Sequence, residues 1–425
     1  MAEIRPFRAV YYDKAKAGLK DVIMPPYDII KDTAQYYKKS EYNIARIDKG
    51  EENAGDSDSH NKYTRAGAYL EKWISEGVLK QDEKPGFYVY RQEYTMPDGE
   101  KKEMTGFFAA VKLEEFDKKI ILPHEKTHAG PKADRLKLMR ATKTNTSPIL
   151  SLYFDPDKKL HSKLEAAAAG APLIEILGDD SVRYRLWKAE DAGLAEEIAG
   201  FISGTPLFIA DGHHRYETAL NFRNEMIEKE GALAAEKYGY ILMCLISMEH
   251  SGISILPTHR IKNQWTRAGF EDDVDVKKFF DVRRLKGAAE LKREMSKSKG
   301  KKVIGVYMKS GGLLLELKEE EYSGIIKGKE RIPQFYMLDV SVLHWFLFKK
   351  LLGMDDSEVL DGLEYTPDMD EALETVESGN AEACFLINPS TVGAVREISL
   401  NNETMPQKST YFLPKLATGI VINRM

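Results

Sequence analysis

Residues 206–220 read Pro-Leu-Phe-Ile-Ala-Asp-Gly-His-His-Arg-Tyr-Glu-Thr-Ala-Leu. An apolar run from Pro206 to Ala210 stops at Asp211-Gly212, and a helical pattern opens near His213 and runs on towards Gly231. Strand, tight turn and long helix in that order argue for a chain that mixes strands and helices. Gly212 permits a backbone conformation that residues with a Cβ resist. The start of a helix offers unpaired N–H groups and a partial positive charge. Two imidazoles and the planar fork of Arg215 add donors at the same place. Such a turn suits the phosphates of a diphosphate or triphosphate. The plain alternative is a capped helix with surface histidines.

On either side the same alternation holds. Residues 87–95 (FYVYRQEYT) alternate aromatic and polar side chains, and residues 103–113 follow after a turn at Pro97–Glu100, which predicts a hairpin. Residues 132–142 (KADRLKLMRAT) carry apolar side chains at helical spacing, and SPILSLYF (147–154) reads as a buried strand. LAEEIAGFISG predicts a helix ending at Gly204, and a further helix through VSVLHWFLFKKLLG closes at Gly353. Polar stretches at residues 50–62 and 296–302 read as loops. The fold class expected is α/β, in an α+β mixture, over two or three domains for 425 residues.

Composition narrows the function. The net charge is -5 and the pI about 6.1, without the basic surplus of a nucleic-acid binder. Cys244 and Cys384 lie in apolar runs and read as buried thiols, so no disulfide framework or cysteine zinc site is expected. No signal-peptide pattern or membrane-length apolar run is seen, and a cytoplasmic protein without nucleic-acid or membrane partners is expected. Neither the G-x-x-x-x-G-K-[ST] nor the G-x-G-x-x-G motif occurs, so a nucleotide would have to use the Asp211 turn.

His124-Glu125-Lys126-Thr127-His128 matches the zinc pattern H-E-x-x-H. That pattern needs both histidines on one face of a stable helix. Pro123 precedes it and Gly130-Pro131 follows it, which argues against a helix there and leaves a zinc hydrolase a remote reading.

Taken together, Pro123-His124-Glu125, the helix through Asp134–Ala141, Ser147-Pro148-Ile149 and Asp211-Gly212-His213-His214-Arg215-Tyr216 resemble the ParB/sulfiredoxin superfamily. Sulfiredoxins carry a Gly-Cys-His-Arg-Tyr turn, and His213 stands where their reactive cysteine would be. The Pro-His-Glu and Asp-Gly-His-His-Arg signatures are similar to those of the superfamily's free-serine kinases. The chain also resembles the DUF1015 family through Pro25-Pro26-Tyr27-Asp28, Leu256-Pro257-Thr258-His259-Arg260 and the stretch Lys408–Lys415.

The resemblance implies a phosphotransferase with an alcohol group as acceptor, phosphorylating free L-serine from ATP with Mg²⁺. Glu125 would be the base, with His124 and Asp211 in the catalytic set and Asp211 a metal ligand. Gly212, His213, His214 and Arg215, with His259 and Arg260, would hold the nucleotide, and Tyr27, Asp28 and Lys408 the acceptor. The alternative is a ParB-like nucleotide switch without metabolite kinase activity. The organisation implied is an N-terminal α/β region (1–104), a ParB/sulfiredoxin-like catalytic domain (105–264) with an insertion near 155–204, and a C-terminal α/β region (265–425).

Overall fold

The aromatic–polar alternation of residues 87–95 forms one arm of a hairpin, and this hairpin lies inside the main sheet of the protein. The structure is a computed structural model that describes residues 1–127 and 129–425. It divides into two compact units, Met1–Ser254 with Pro414–Met425, and Ile255–Leu413.

The first unit holds a nine-stranded mixed sheet of β1 (Ile4–Arg5), β2 (Phe87–Thr95), β3 (Lys101–Lys112), β4 (Ile121–Leu122), β5 (Ile149–Tyr153), β6 (Ile174–Leu177), β7 (Arg183–Ala189), β8 (Leu207–Asp211) and β9 (Tyr240–Ser247). Their order is β4-β8-β5-β9-β3-β2-β7-β6, with β1 beside β3. β5 runs parallel to β9 and antiparallel to β8. The helices of this unit include α1 (Lys62–Ser75), α2 (Ala129–Thr142), α3 (Lys159–Ala167), α4 (Ala192–Ser203) and α5 (His213–Glu230). Alternate residues of the strands point to one face. Thus Phe87, Val89, Phe107, Ala109, Val111, Leu207, Ile209, Met243 and Leu245 form one core with Ile198 and Ile202 of α4 and Tyr216 and Phe222 of α5. Complete burial of a side chain such as Phe107 contributes roughly 1.5–3 kcal/mol. This packing fixes the start of α5 against the end of β8.

The expected insertion at 155–204 has a definite place. Its strands β6 and β7 extend the sheet beyond β2, and its helices α3 and α4 pack on each other. A smaller four-stranded sheet joins Leu79–Gln81, Ala9–Tyr12, Ile422–Arg424 and Thr144–Asn145 in that order, so the C-terminal residues belong to the first unit.

The second unit is built on a six-stranded antiparallel sheet of β10 (His259–Lys262), β11 (Phe280–Leu285), β12 (Val303–Met308), β13 (Gly311–Leu317), β14 (Leu363–Thr366) and β15 (Ala383–Ile387), in the order β11-β13-β12-β15-β10-β14. Leu291 and Met295 of one helix and Leu373 and Val376 of another pack against its residues Val303, Leu314, Cys384 and Leu386. Within the helix expected there, residues 342–351 form a π-helix.

These units differ from the expected three-part division. The boundary at 104/105 falls inside β3, and the break at Ser254/Ile255 replaces the one at 264/265. Cys244 and Cys384 are both buried strand thiols, as expected. No helix among the described residues is long and apolar enough to cross a membrane.

Candidate active site

At the end of β8 the pairing with β5 slips between Ile209 and Asp211. Such a bulge turns the following side chain out of the regular alternation. Gly212 follows with φ 99° and ψ 26° and caps α5. A Cβ built there would lie 3.0 Å from Arg215 Nε, so glycine is required both by conformation and by space. The first bond of the helical ladder runs from Tyr216 N–H to Gly212 O at 3.0 Å. The N–H groups of His213, His214 and Arg215 therefore precede the helix's own ladder.

Arg215 differs from its expected role. It is 8% exposed, not a side chain at an open helix entrance. Its Nη1 donates to Ser147 Oγ at 2.8 Å and to Pro148 O, and its Nη2 donates to Asp211 Oδ2 at 3.0 Å. The fork expected to grip phosphate is turned inward, where it ties the turn to the chain entering β5. Asp211 Oδ1 faces Lys415 Nζ at 3.5 Å. Burial alone would raise the Asp211 pKa, but the charges of Lys415 and Arg215 hold it at about 2. Asp211 is thus an anion between two cations.

The two motif segments meet at a pair of imidazoles. His124 N–H lies 3.3 Å from His213 Nε2, and the rings pack edge to face with centroids 4.6 Å apart. His124 Nδ1 lies 2.8 Å from Ile209 O. Both rings are buried, and burial pushes both pKa values down, that of His213 further. They are neutral at pH 7 and bring no positive charge to a phosphate. Next to His124, Glu125 Oε1 is buried and has no hydrogen-bond partner among the described residues. Thr127 Oγ1 and Lys132 Nζ each donate to Glu217 Oε2 of α5 at 2.7 Å. His214 is half-buried, and its carbonyl accepts from Thr218 Oγ1 at 2.7 Å.

The zinc pattern fails on its backbone. Residues 123–127 lie outside any helix, and α2 begins at Ala129, after the motif. His128 lies outside the described residues. Among the described residues no group of three His, Cys, Asp or Glu side chains is placed to hold a metal ion.

Of the residues expected on the acceptor, Tyr27 lines a cavity in the first unit and stacks under the Arg135 guanidinium at 4.1 Å. Asp28 is exposed and is not among the residues lining that cavity. His259, Arg260 and Lys408 belong to the second unit. There His259 Nδ1 accepts from Ile387 N–H at 3.3 Å. Arg260 is fully buried and donates to His344 Nε2 at 3.1 Å and to Lys408 O at 3.0 Å. Of the two lysines flanking one aromatic strand, the expected site names Lys408, whereas the one that meets Asp211 is Lys415. It lies seven positions after Lys408 in the same stretch, and nothing in composition separates the two.

A family model described as a protein of unknown function (DUF1015) matches residues 4–341. The chain belongs to this family. No curated protein matches it. Among solved structures, a free serine kinase variant in complex with AMP is similar over 74% of this chain and 92% of its own, with 13% identity and a TM-score of 0.36. A conserved hypothetical protein from Pyrococcus furiosus is similar over 75% of this chain and 95% of its own, with 14% identity and a TM-score of 0.35. SbnI with a C-terminal truncation from Staphylococcus aureus is similar over 74% and 87%, with 9% identity and a TM-score of 0.37.

Proposed function

We propose that this DUF1015 protein is an ATP-dependent phosphotransferase with an alcohol group as acceptor, acting on free L-serine to give O-phosphoserine. The observation that carries this reading is the His124–His213 contact, which joins the segment bearing Glu125 to the helix start bearing Gly212. Glu125 has a buried carboxylate oxygen without a partner among the described residues, and a proton acceptor needs that freedom. The N–H groups of His213, His214 and Arg215 hold phosphate oxygens, helped by the helix dipole. The serine Oγ–phosphorus bond forms as the bond from the γ-phosphorus to its bridging oxygen breaks. ADP leaves, and Glu125 takes the hydroxyl proton. Lys415 offsets charge near Asp211.

Asp211 is ionised, and among the described residues its Oδ1 has a long contact to Lys415, so its chemistry fits a magnesium ion that arrives with the nucleotide. Asp211 would hold that ion, whose charge would offset that of the phosphates. Arg215 acts through Asp211 and Ser147 and positions the turn.

The test is a nucleotide-consumption screen, with ATP and CTP separately, against amino acids and small alcohols, reading products by mass. Serine heavier by one phosphoryl group, made from ATP, is the expected product. Glu125→Gln keeps the shape and removes the base, so turnover should fall about 10²–10⁴-fold while nucleotide affinity stays within a few-fold. Full turnover in that variant would remove Glu125 from the mechanism.

A further inference from the structure

Beneath the chain that Arg215 grips lies a polar cavity made largely by residues outside the signature motifs. Its volume is about 240 Å³, and its walls include Tyr27, Asp48, Lys49, Lys62, Asp134 and Arg135. That is far above the roughly 10–15 Å³ that admits one water, and below the roughly 300–1,000 Å³ of pockets for drug-sized molecules. The size suits a small metabolite. An adjoining recess of about 30 Å³ shares Tyr27, Asp48 and Arg135 and reaches Ser147 and Arg215, which also hold the Asp211 turn.

The donors and acceptors of the cavity do not close on themselves. Asp48 is 2% exposed. Its Oδ1 accepts from Thr146 Oγ1, while Oδ2 is buried without a hydrogen-bond partner among the described residues and is ion-paired with Arg135 Nη1 at 3.4 Å. A buried carboxylate oxygen left in this state costs free energy that a donor would recover. Lys49 Nζ donates to Tyr27 O at 2.8 Å and to Ile30 O, and an ammonium has three N–H groups. Arg135 has five N–H groups. Its Nη1 donates to Asp48 O at 2.7 Å, and its Nε and Nη2 donate to Asp134 Oδ2 at 2.9 and 2.5 Å. Lys62 lies 3.1 Å from both Glu52 and Asp134. The cavity therefore sets an under-bonded carboxylate oxygen beside cationic donors, the nearest 3.4 Å away, that have capacity beyond their protein partners. Carboxylate and ammonium on one small molecule complement that pattern.

We propose that this cavity holds a free α-amino acid, with its ammonium on Asp48 Oδ2 and its carboxylate on Lys49 and Arg135. The assignment rests on the kinase reading only in naming the bound molecule as the phosphoryl acceptor. Asp48 is then a specificity residue, because it rewards an ammonium over a hydroxyl at the α-carbon. A site built to bond one polar group rejects analogues that lack it, since its own group is then left unpaired.

Binding is measured by calorimetry without nucleotide, using L-serine, L-alanine, L-glycerate and L-serine methyl ester. The wild-type protein should bind L-serine and L-alanine at least ten-fold more tightly than L-glycerate or the ester. Asp48→Asn should reduce the preference for L-serine over L-glycerate to less than three-fold, with ATP affinity unchanged. Lys49→Gln lies nearer the rim and serves if Asp48→Asn does not fold. It should weaken L-serine at least ten-fold and the ester by less than three-fold. A wild-type protein that binds neither amino acid, or binds L-serine and L-glycerate alike, overturns the proposal, as do folded variants that bind L-serine as the parent does. Failure of the kinase reading looks different: L-serine binds with the expected preference, yet no phosphorylated product forms.

Discussion

Arg215 carries a full charge into a site where water has little access, and its partners decide what it does. The guanidinium joins Asp211, Ser147 and Pro148, and removing it takes from the half-buried Asp211 carboxylate one of the two cations beside it. Breaking a fully buried ion pair from one end costs about 3–5 kcal/mol, and the partial exposure of Asp211 sets the cost here below that. Arg215→Ala is therefore expected to lose stability as well as nucleotide binding, and urea unfolding measures the first separately from calorimetry of the second. An unchanged unfolding midpoint would show that these bonds do not hold the turn. Single residues were legible in unequal measure. Asp211, Gly212 and Glu125 announce themselves through motif and spacing. Which way Arg215 points is set by Ser147, more than sixty residues earlier in the chain, and no local pattern encodes it. Asp48 was invisible for a related reason: its role depends on Thr146 and Arg135, which only the folded chain brings to it.

The turn between β8 and α5 is held by backbone geometry more than by any side chain. Gly212 sits in the left-handed region, where a residue with a Cβ loses roughly 1–2 kcal/mol, and a branched side chain loses more. A valine there would also press its Cβ to within 3.0 Å of Arg215 Nε. Gly212→Val is expected to abolish measurable ATP binding by calorimetry and to lower the melting temperature. A variant that binds ATP as the parent does would place the phosphates elsewhere. Elements with strong local signals were readable in the sequence: the 87–112 hairpin, the helix closed at Gly204, and the strand–turn–helix at 206–231. The bulge at Ile209/Asp211 was not, because it comes from pairing with β5.

At the scale of the whole molecule, domain boundaries were the least legible feature. The C-terminal strand at Ile422–Arg424 pairs with Ala9–Tyr12, a contact between the two ends of the chain that no window of sequence contains. A shared property of both units is a neutral histidine, half-buried at His250 and buried at His259. His250 in the first unit and His259 in the second are both held down to about 4, chiefly by burial. Backbone N–H groups of Thr105 and Gly252 point at the two ring nitrogens of His250 at 3.1 and 2.9 Å. A neutral ring accepts at one of them, and a protonated ring at neither. Because the folded pKa lies below the unfolded value of about 6.5, the unfolded chain binds more protons between those limits. Stability from these rings is therefore complete above pH 6.5 and falls as the pH drops towards 4, by up to on the order of 3 kcal/mol for a ring as buried as His259. Asp339 opposes this near its own range, since burial raises its pKa, whereas Asp134 and Asp211, both at about 2, add losses only below the ordinary carboxylate range of about 3.8. The expected result is a urea midpoint that declines steadily from pH 7 to pH 4.5. His250→Gln and His259→Gln should each flatten part of that slope, because glutamine takes up no proton. A midpoint that is level across this interval, or a slope that both substitutions leave untouched, would show that these rings do not govern the acid response.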